Sequence, residues 1–187
     1  HFKSVCVQPC FVGYCKKRLE GTGVLVCTVI GFPLGQNTTA TKVFETLEAV
    51  HNGADEIDMV INIGNVKPGN YELLVDEVEQ VAKAADGRIL KVIIETCYLT
   101  EDEIIQTSRA IGRTKACFIK TSTGFGPAGA TAENVRLMKK NGQGKEVKAA
   151  GGIRTMLDFE KMVEAGATRI GTSNGVNLMK GEQGSGY

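Results

Sequence analysis

The sequence predicts an α/β fold, a parallel sheet of the (β/α)8 TIM-barrel class from which the first strand is missing. Apolar, β-type runs alternate strictly with segments of helical periodicity along the 187 residues. Such alternation produces right-handed βαβ units and a parallel sheet. The runs are apolar almost throughout, as in strands that are covered on both faces. They number seven, whereas a closed barrel of this class needs eight.

The elements follow one another in a single series without a linker or a change of composition. The predicted strands cover 4–9, 24–31, 56–62, 90–96, 117–122, 146–151 and 169–173. The predicted helices cover 38–54, 71–85, 100–111, 132–140 and 155–167. Thr100 and Thr155 each precede an acidic residue by three positions, which is typical of a capping box at a helix start. Gly53 and Gly166 lie where helices are expected to stop.

These boundaries predict one domain over 1–187, incomplete at its N-terminus because the chain begins abruptly and without methionine. A glycine-rich segment at 181–187 predicts a flexible tail. A barrel that lacks one strand exposes two strand edges, which favour pairing with another chain.

Composition excludes several function classes. The chain has 22 Lys+Arg against 21 Asp+Glu, so no general basic field for nucleic acid is expected. No apolar run is long enough to span a membrane. The six cysteines form no CxxC pair, and only two histidines occur, so no metal site is expected. Without an export signal, free thiols in a reducing cytoplasm are the expected state.

Two lysines end consecutive predicted strands. Lys120 lies in FIKTS and Lys148 in EVKAA, and strand alternation can point both inward. Neighbouring strands are about 4.8 Å apart, so the two ammonium groups repel each other and the pKa of one should fall. An amine with a lowered pKa can attack a carbonyl and form a Schiff base.

Asp58 is the carboxylate that we expect to face these lysines. Its sequence neighbours are apolar, so a lone charge there needs a partner. It could shuttle protons during catalysis, or it could belong to a purely structural ion pair inside the barrel. Glu95, at the end of another strand, is expected to orient a lysine.

The last two predicted strands are followed by glycine-bearing turns. Gly151 and Gly152 follow one strand, and Gly171, Thr172 and Ser173 belong to the turn after the next. Barrels often bind phosphate with these two turns, because glycine lets backbone N–H groups approach an anion. Two ordinary turns are the alternative.

Seven segments together resemble the 2-deoxyribose-5-phosphate aldolase family of class I aldolases. They are CTVIGFPLG, GADEIDMVINIG, GNYELL, KVIIETC, FIKTSTGF, KAAGGIR and GATRIG, in the family order over nearly the whole chain. The lysine of FIKTSTGF followed by a second lysine before AGG is the most specific of these features.

The resemblance implies places in or beside the active site for five residues, of which Cys6 is not catalytic in the family. Lys120 would form the Schiff base, and Lys148 would tune its pKa or relay protons. Asp58 would exchange protons through an ordered water. Cys6 matches a family cysteine near the substrate, and Tyr187 matches a tail tyrosine that assists proton transfer in some members.

The resemblance also implies the ligands and the reaction. The reaction would be reversible cleavage of 2-deoxy-D-ribose 5-phosphate to D-glyceraldehyde 3-phosphate and acetaldehyde, without cofactor or metal. Partners would be the sugar phosphate, aldehydes and further copies of the chain in a dimer or tetramer. Another phosphosugar enzyme, such as an isomerase, and an inactive truncated barrel are the alternatives. The phosphate and substrate residues would be Gly151, Gly152, Gly171, Thr172, Ser173, Thr123 and Cys6.

Overall fold

The computed structural model of the protein describes residues 2–182, in which seven parallel strands form one sheet in chain order. All seven predicted strands are confirmed. The predicted strands continue one to three residues beyond the observed carboxyl ends. At those residues the chain leaves the sheet and forms the turns that carry polar groups. The strands are β1 Ser4–Val7, β2 Leu25–Ile30, β3 Glu56–Val60, β4 Ile89–Ile93, β5 Phe118–Lys120, β6 Glu146–Ala150 and β7 Arg169–Gly171.

The sheet curls strongly. In a flat sheet β3 and β7 would be four strand spacings apart, about 19 Å. Yet Nη1 of Arg169 in β7 lies 3.0 Å from Oε2 of Glu56 in β3. The inward side chains of distant strands therefore converge. In the part of the chain that the structure describes, β1 and β7 are the two ends of the pairing order.

The five predicted helices are confirmed, and three short ones were not predicted because they are too brief to show a period. Thr100 and Thr155 both form the predicted capping boxes. Gly53 and Gly166, just beyond two helix ends, adopt positive φ angles of 99° and 109°. The helices are α1 Val12–Arg18, α2 Thr39–His51, α3 Ile63–Val66, α4 Tyr71–Ala84, α5 Glu101–Gly112, α6 Ala132–Asn141, α7 Met156–Glu164 and α8 Gly175–Met179.

The apolar core lies between the sheet and these helices. In β3, Ile57 and Met59 are fully buried in this core. Glu56 and Asp58 alternate with them and so point to the inner side of the curl. The charged groups of the strands are therefore collected on the side opposite the core. No helix within residues 2–182 is long and apolar enough to cross a bilayer.

A buried ion pair on the helix side fixes the end of β3. Nζ of Lys42 in α2 lies 2.7 Å from Oε1 of Glu77 in α4, and both side chains are almost inaccessible to solvent. Lys42 also donates to the carbonyl of Val60, and the backbone N–H of Asn62 donates to Glu77. The pair therefore ties two helices to the carboxyl end of the strand that carries Asp58.

Replacing Lys42 with Met should lower the free energy of unfolding by about 3–5 kcal/mol, because the carboxylate of Glu77 is left buried and unpaired. The double variant Lys42→Met/Glu77→Leu should recover most of this loss. Urea unfolding measures both. Lys67→Met, which breaks an exposed pair with Glu103, is the control and should cost less than about 1 kcal/mol. Equal losses in Lys42→Met and Lys67→Met would contradict the assigned role.

Candidate active site

Asp58 occupies the centre of the inner side of the sheet and is fully buried. Its Oδ2 atom lies 2.8 Å from Nζ of Lys120 and 2.6 Å from Nζ of Lys148. The two lysines are direct register partners on β5 and β6. The predictions that they are neighbours and that Asp58 faces them are therefore confirmed. One carboxylate oxygen is shared by two ammonium groups.

A third lysine binds the other oxygen of Asp58 and was missed from the sequence. Nζ of Lys91 lies 2.8 Å from Oδ1 of Asp58 and 2.7 Å from Oε2 of Glu56. Asp58 and Lys91 are register partners on β3 and β4. The signal that could have found it was a lone cation in the apolar strand ILKVI, which needs a buried partner.

Cations outnumber carboxylates in this region. Glu56 also accepts hydrogen bonds from the guanidinium of Arg169 and from the hydroxyl of Ser4. Two carboxylates thus face four cationic groups, which gives a net positive site that suits an anionic substrate. We call this set the inner charge cluster: Glu56, Asp58, Lys91, Lys120, Lys148 and Arg169.

The cluster sets the protonation of its members. Burial would raise the pKa of Asp58, but the charges of Lys120, Lys148 and Lys91 outweigh it and hold that pKa well below its usual range. Burial lowers the pKa of Lys120, yet attraction to Asp58 outweighs it and the pKa of Lys120 is raised. The expectation that this pKa lies below its usual value is therefore wrong, because it underweighted the carboxylate between the two lysines.

The charge of Asp58 is not balanced by Lys120 alone. If Lys120 gives up its proton, Asp58 remains neutralised by Lys148 at 2.6 Å and by Lys91 at 2.8 Å. The buried carboxylate therefore keeps two positive partners without Lys120.

Glu95 does not orient a lysine, which corrects the expectation from the sequence. Its carboxylate accepts hydrogen bonds from the backbone N–H of Thr123 at 3.2 Å and from the Thr123 hydroxyl. The same hydroxyl accepts from the N–H of Phe125 at 3.0 Å. Glu95 itself has a φ of 51°, a conformation that aims its side chain across the turn after β5. Glu95 thus fixes the position of Thr123 beside the lysine strand.

The two glycine-bearing turns lie together at the same edge of the sheet. The hydroxyl of Thr172, after β7, donates to the carbonyl of Ile153, after β6, at 2.7 Å. This hydrogen bond joins the two turns and leaves the Thr172 hydroxyl without a hydrogen to donate to a ligand. Ser173, by contrast, is exposed. A Cβ atom added at Gly171 would lie 3.2 Å from Cε of Lys148. The turn after β7 therefore borders Lys148.

Gly151 and Gly152 have positive φ angles of 85° and 77°. Side-chain-bearing residues rarely adopt these conformations, so the turn after β6 depends on glycine. A Cβ at Gly151 would also come within 3.1 Å of the Cα of Gly129. At Gly152 a Cβ would meet nothing within 4 Å, so its backbone is open on that side.

Two cysteines line the cluster beside Asp58. Cys6 on β1 is exposed, and Cys27 on β2 is buried and donates to Oδ1 of Asp58 at 3.2 Å. The two sulfur atoms and a carboxylate oxygen of Asp58 lie within 4.8 Å of one another. These donors fit a metal ion poorly, because three ammonium groups already occupy the oxygens of Asp58. Tyr187 lies outside the described residues.

The chain matches the family model of the DeoC/LacD family aldolases over residues 1–181. The chain belongs to this aldolase family. Deoxyribose-phosphate aldolase 2 of Staphylococcus aureus strain MRSA252 is 59% identical over 182 residues, which cover 97% of this chain and 83% of the relative.

Solved structures agree with the family assignment. A structure described as "QR15, an Aldolase" superposes with a TM-score of 0.90 at 44% identity, over 96% of this chain and 80% of that chain. A tetrameric deoxyribose phosphate aldolase from Aeropyrum pernix superposes with a TM-score of 0.88 at 32% identity, over 96% and 76% of the two chains. The curled sheet is thus shared with known aldolases.

The inner charge cluster should make the fold sensitive to acid. Burial would raise the pKa of Glu56, but Lys91 and Arg169 outweigh it and the pKa is lowered. A lowered folded-state pKa contributes stability above the unfolded value of about 4.3, and this stability is lost as pH falls through the folded pKa. Glu56→Gln should therefore weaken the loss of stability between about pH 5 and pH 3.

Urea unfolding over a pH series measures this slope in the wild type and in Glu56→Gln. Glu101→Gln, which alters an exposed carboxylate in the first turn of α5, is the control and should retain the wild-type slope. A Glu56→Gln slope equal to that of the wild type would show that Glu56 is not held ionised by the cluster.

Proposed function

We propose that the protein is a class I aldolase that reversibly cleaves 2-deoxy-D-ribose 5-phosphate to D-glyceraldehyde 3-phosphate and acetaldehyde. One observation carries the chemistry: two buried lysines share Oδ2 of one buried carboxylate, Asp58. The substrate comes from the named relatives, which are deoxyribose-phosphate aldolases at 59% identity. The net positive cluster suits a phosphorylated sugar.

Lys120 is the nucleophile of this proposal. Its neutral amine attacks the substrate carbonyl, and loss of water gives a protonated imine. The imine draws electrons from the carbon–carbon bond that breaks, which leaves an enamine on Lys120. Protonation of the enamine and hydrolysis release acetaldehyde. The family-like segment FIKTSTGF around Lys120 supports this choice over Lys148.

Asp58 and Lys148 handle protons and charge. When Lys120 becomes an imine, the cation at that position is retained on the iminium nitrogen, so Asp58 keeps a positive partner. Lys148, at 2.6 Å from the same oxygen, can deliver or accept the proton that moves during imine formation. The proton of the substrate hydroxyl would be exchanged with Asp58 through a water that enters the site with the substrate.

The phosphate would bind at the two turns beyond β6 and β7. Gly151 and Gly152 offer backbone N–H groups, and Gly171 leaves room beside Lys148. Ser173 is exposed and able to donate its hydroxyl, whereas Thr172 contributes by holding the turns together. Thr123, fixed by Glu95, would lie near the sugar.

Further parts of the proposal concern assembly and cofactors. We place the seven strands in a (β/α)8 barrel, supported by the curl of the sheet and by the TM-scores of 0.90 and 0.88 with aldolase structures. The imine supplies the electron sink, so no metal or organic cofactor takes part.

The tetrameric relative from Aeropyrum pernix supports a homo-oligomer. The free cysteines support a cytoplasmic location.

Borohydride reduction with acetaldehyde should place an ethyl group on Lys120. Trypsin does not cut at a modified lysine, so the adduct should appear in a peptide of residues 116–136 rather than 146–154. Lys120→Met should abolish both the adduct and turnover, and all reactions should proceed in EDTA. Lys148→Met is the matched variant and should retain trapping at Lys120. An adduct confined to 146–154 would exchange the roles of the two lysines.

A further inference from the structure

Cys6 and Cys27 form a pair that the aldol reaction does not require. They are register partners on the parallel strands β1 and β2. Their sulfur atoms lie within 4.8 Å of each other on the inner side of the sheet. Neighbouring strands are about 4.8 Å apart, and the Cα atoms of a disulfide are usually about 4.4–6.8 Å apart. The backbone spacing therefore matches a cross-strand disulfide.

The two thiols differ in a way that suits a reactive cysteine and a resolving cysteine. Cys6 is exposed, and a hydrogen bond from Cys27 lowers the pKa of Cys6 to about 7, so much of it is thiolate at neutral pH. Cys27 is buried, and its hydrogen bond with Cys6, its burial and the nearby Asp58 keep its pKa well above normal. Cys27 is therefore a protonated thiol that lies between the sulfur of Cys6 and Oδ1 of Asp58.

We propose that Cys6 and Cys27 are a peroxide-sensitive site that closes to an intramolecular disulfide at the rim of the aldolase site. In the first step the Cys6 thiolate attacks a hydroperoxide, the O–O bond breaks, and Cys6 sulfenic acid and hydroxide form. In the second step the Cys27 sulfur attacks the Cys6 sulfur, and hydroxide leaves as water. Overall, two thiols and one hydrogen peroxide give one disulfide and two waters.

Asp58 is placed to assist the second step. Its Oδ1 atom accepts the Cys27 hydrogen bond at 3.2 Å, so it orients the thiol while the thiol proton passes to the departing hydroxide. Lys91, at 3.5 Å from the sulfur of Cys27, stabilises the negative charge that develops there. The groups of the inner charge cluster would thus activate a thiol that is otherwise inert.

Disulfide formation should also stop catalysis reversibly. The bond brings the sulfurs to about 2.05 Å, which pulls Cys27 away from Oδ1 of Asp58 and fixes the Cys6 sulfur beside the lysines. The cysteine pair would then couple aldolase activity to peroxide and to the thiol reductants that reopen it.

The test uses the full chain with Cys10 and Cys15 both replaced by Ser, so that Cys6 is the sole thiol in the tryptic peptide 4–16. After hydrogen peroxide treatment and digestion without reductant, we expect this peptide linked to residues 19–42, which contain Cys27. Activity should fall at least tenfold and return with dithiothreitol. The linkage is read by mass alone and does not depend on the proposed aldolase reaction.

Cys27→Ser in the same background separates the two steps, because serine keeps a hydrogen-bond donor beside Cys6 but cannot form a disulfide. Without its resolving partner, Cys6 should stop at the sulfenic acid, which dimedone traps and mass spectrometry locates. Cys117, another exposed cysteine, is the internal control and should oxidise more slowly than Cys6. The proposal is overturned if Cys6 reacts no faster than Cys117, if Cys6 links to a different cysteine or a second chain, or if no 4–16/19–42 species forms.

Discussion

The structure depends on one buried carboxylate oxygen that serves two ammonium groups. Oδ2 of Asp58 contacts Lys120 and Lys148 at 2.8 and 2.6 Å, in a position without solvent access. Breaking a buried pair of this kind leaves an uncompensated charge, which costs several kcal/mol. The three side chains are therefore locked in one geometry before any substrate arrives. Pre-organised charge of this kind is what a catalytic site needs, because it does not have to reorganise during the reaction.

The curl of the sheet makes that contact possible. Asp58 is on β3 and Lys148 on β6, three strand spacings away in a flat sheet. Charged residues at alternate positions of the strands meet inside the curl, while their apolar neighbours face the helices. The buried pair of Lys42 and Glu77 holds the end of β3 from the helix side. The same alternation of side chains along the strands therefore places apolar residues in the core and charged residues in the site.

The sequence predicted the seven strands and five longer helices because their periods and caps are local signals. It also predicted that Lys120 and Lys148 are neighbours, since register follows from consecutive parallel strands. It missed Lys91, whose role depends on a register partner in another strand, and it assigned Glu95 to a lysine because the left-handed backbone that redirects it leaves no sequence signal. The pKa direction at Lys120 was wrong for a similar reason: the balance between burial, a second cation and a shared carboxylate depends on distances below 3 Å.

The most direct test of the shared carboxylate is the pH dependence of imine trapping by cyanoborohydride in Asp58→Asn, compared with the wild type. The loss of Asp58 removes the main attraction that raises the pKa of Lys120 and leaves the burial that lowers it. The apparent pKa for trapping at Lys120 should therefore fall by about one unit or more, with turnover reduced by about a hundredfold. Circular dichroism shows whether the variant is folded, and Asp76→Asn on the surface of α4 is the control. An apparent pKa in folded Asp58→Asn that equals or exceeds the wild-type value would contradict the account.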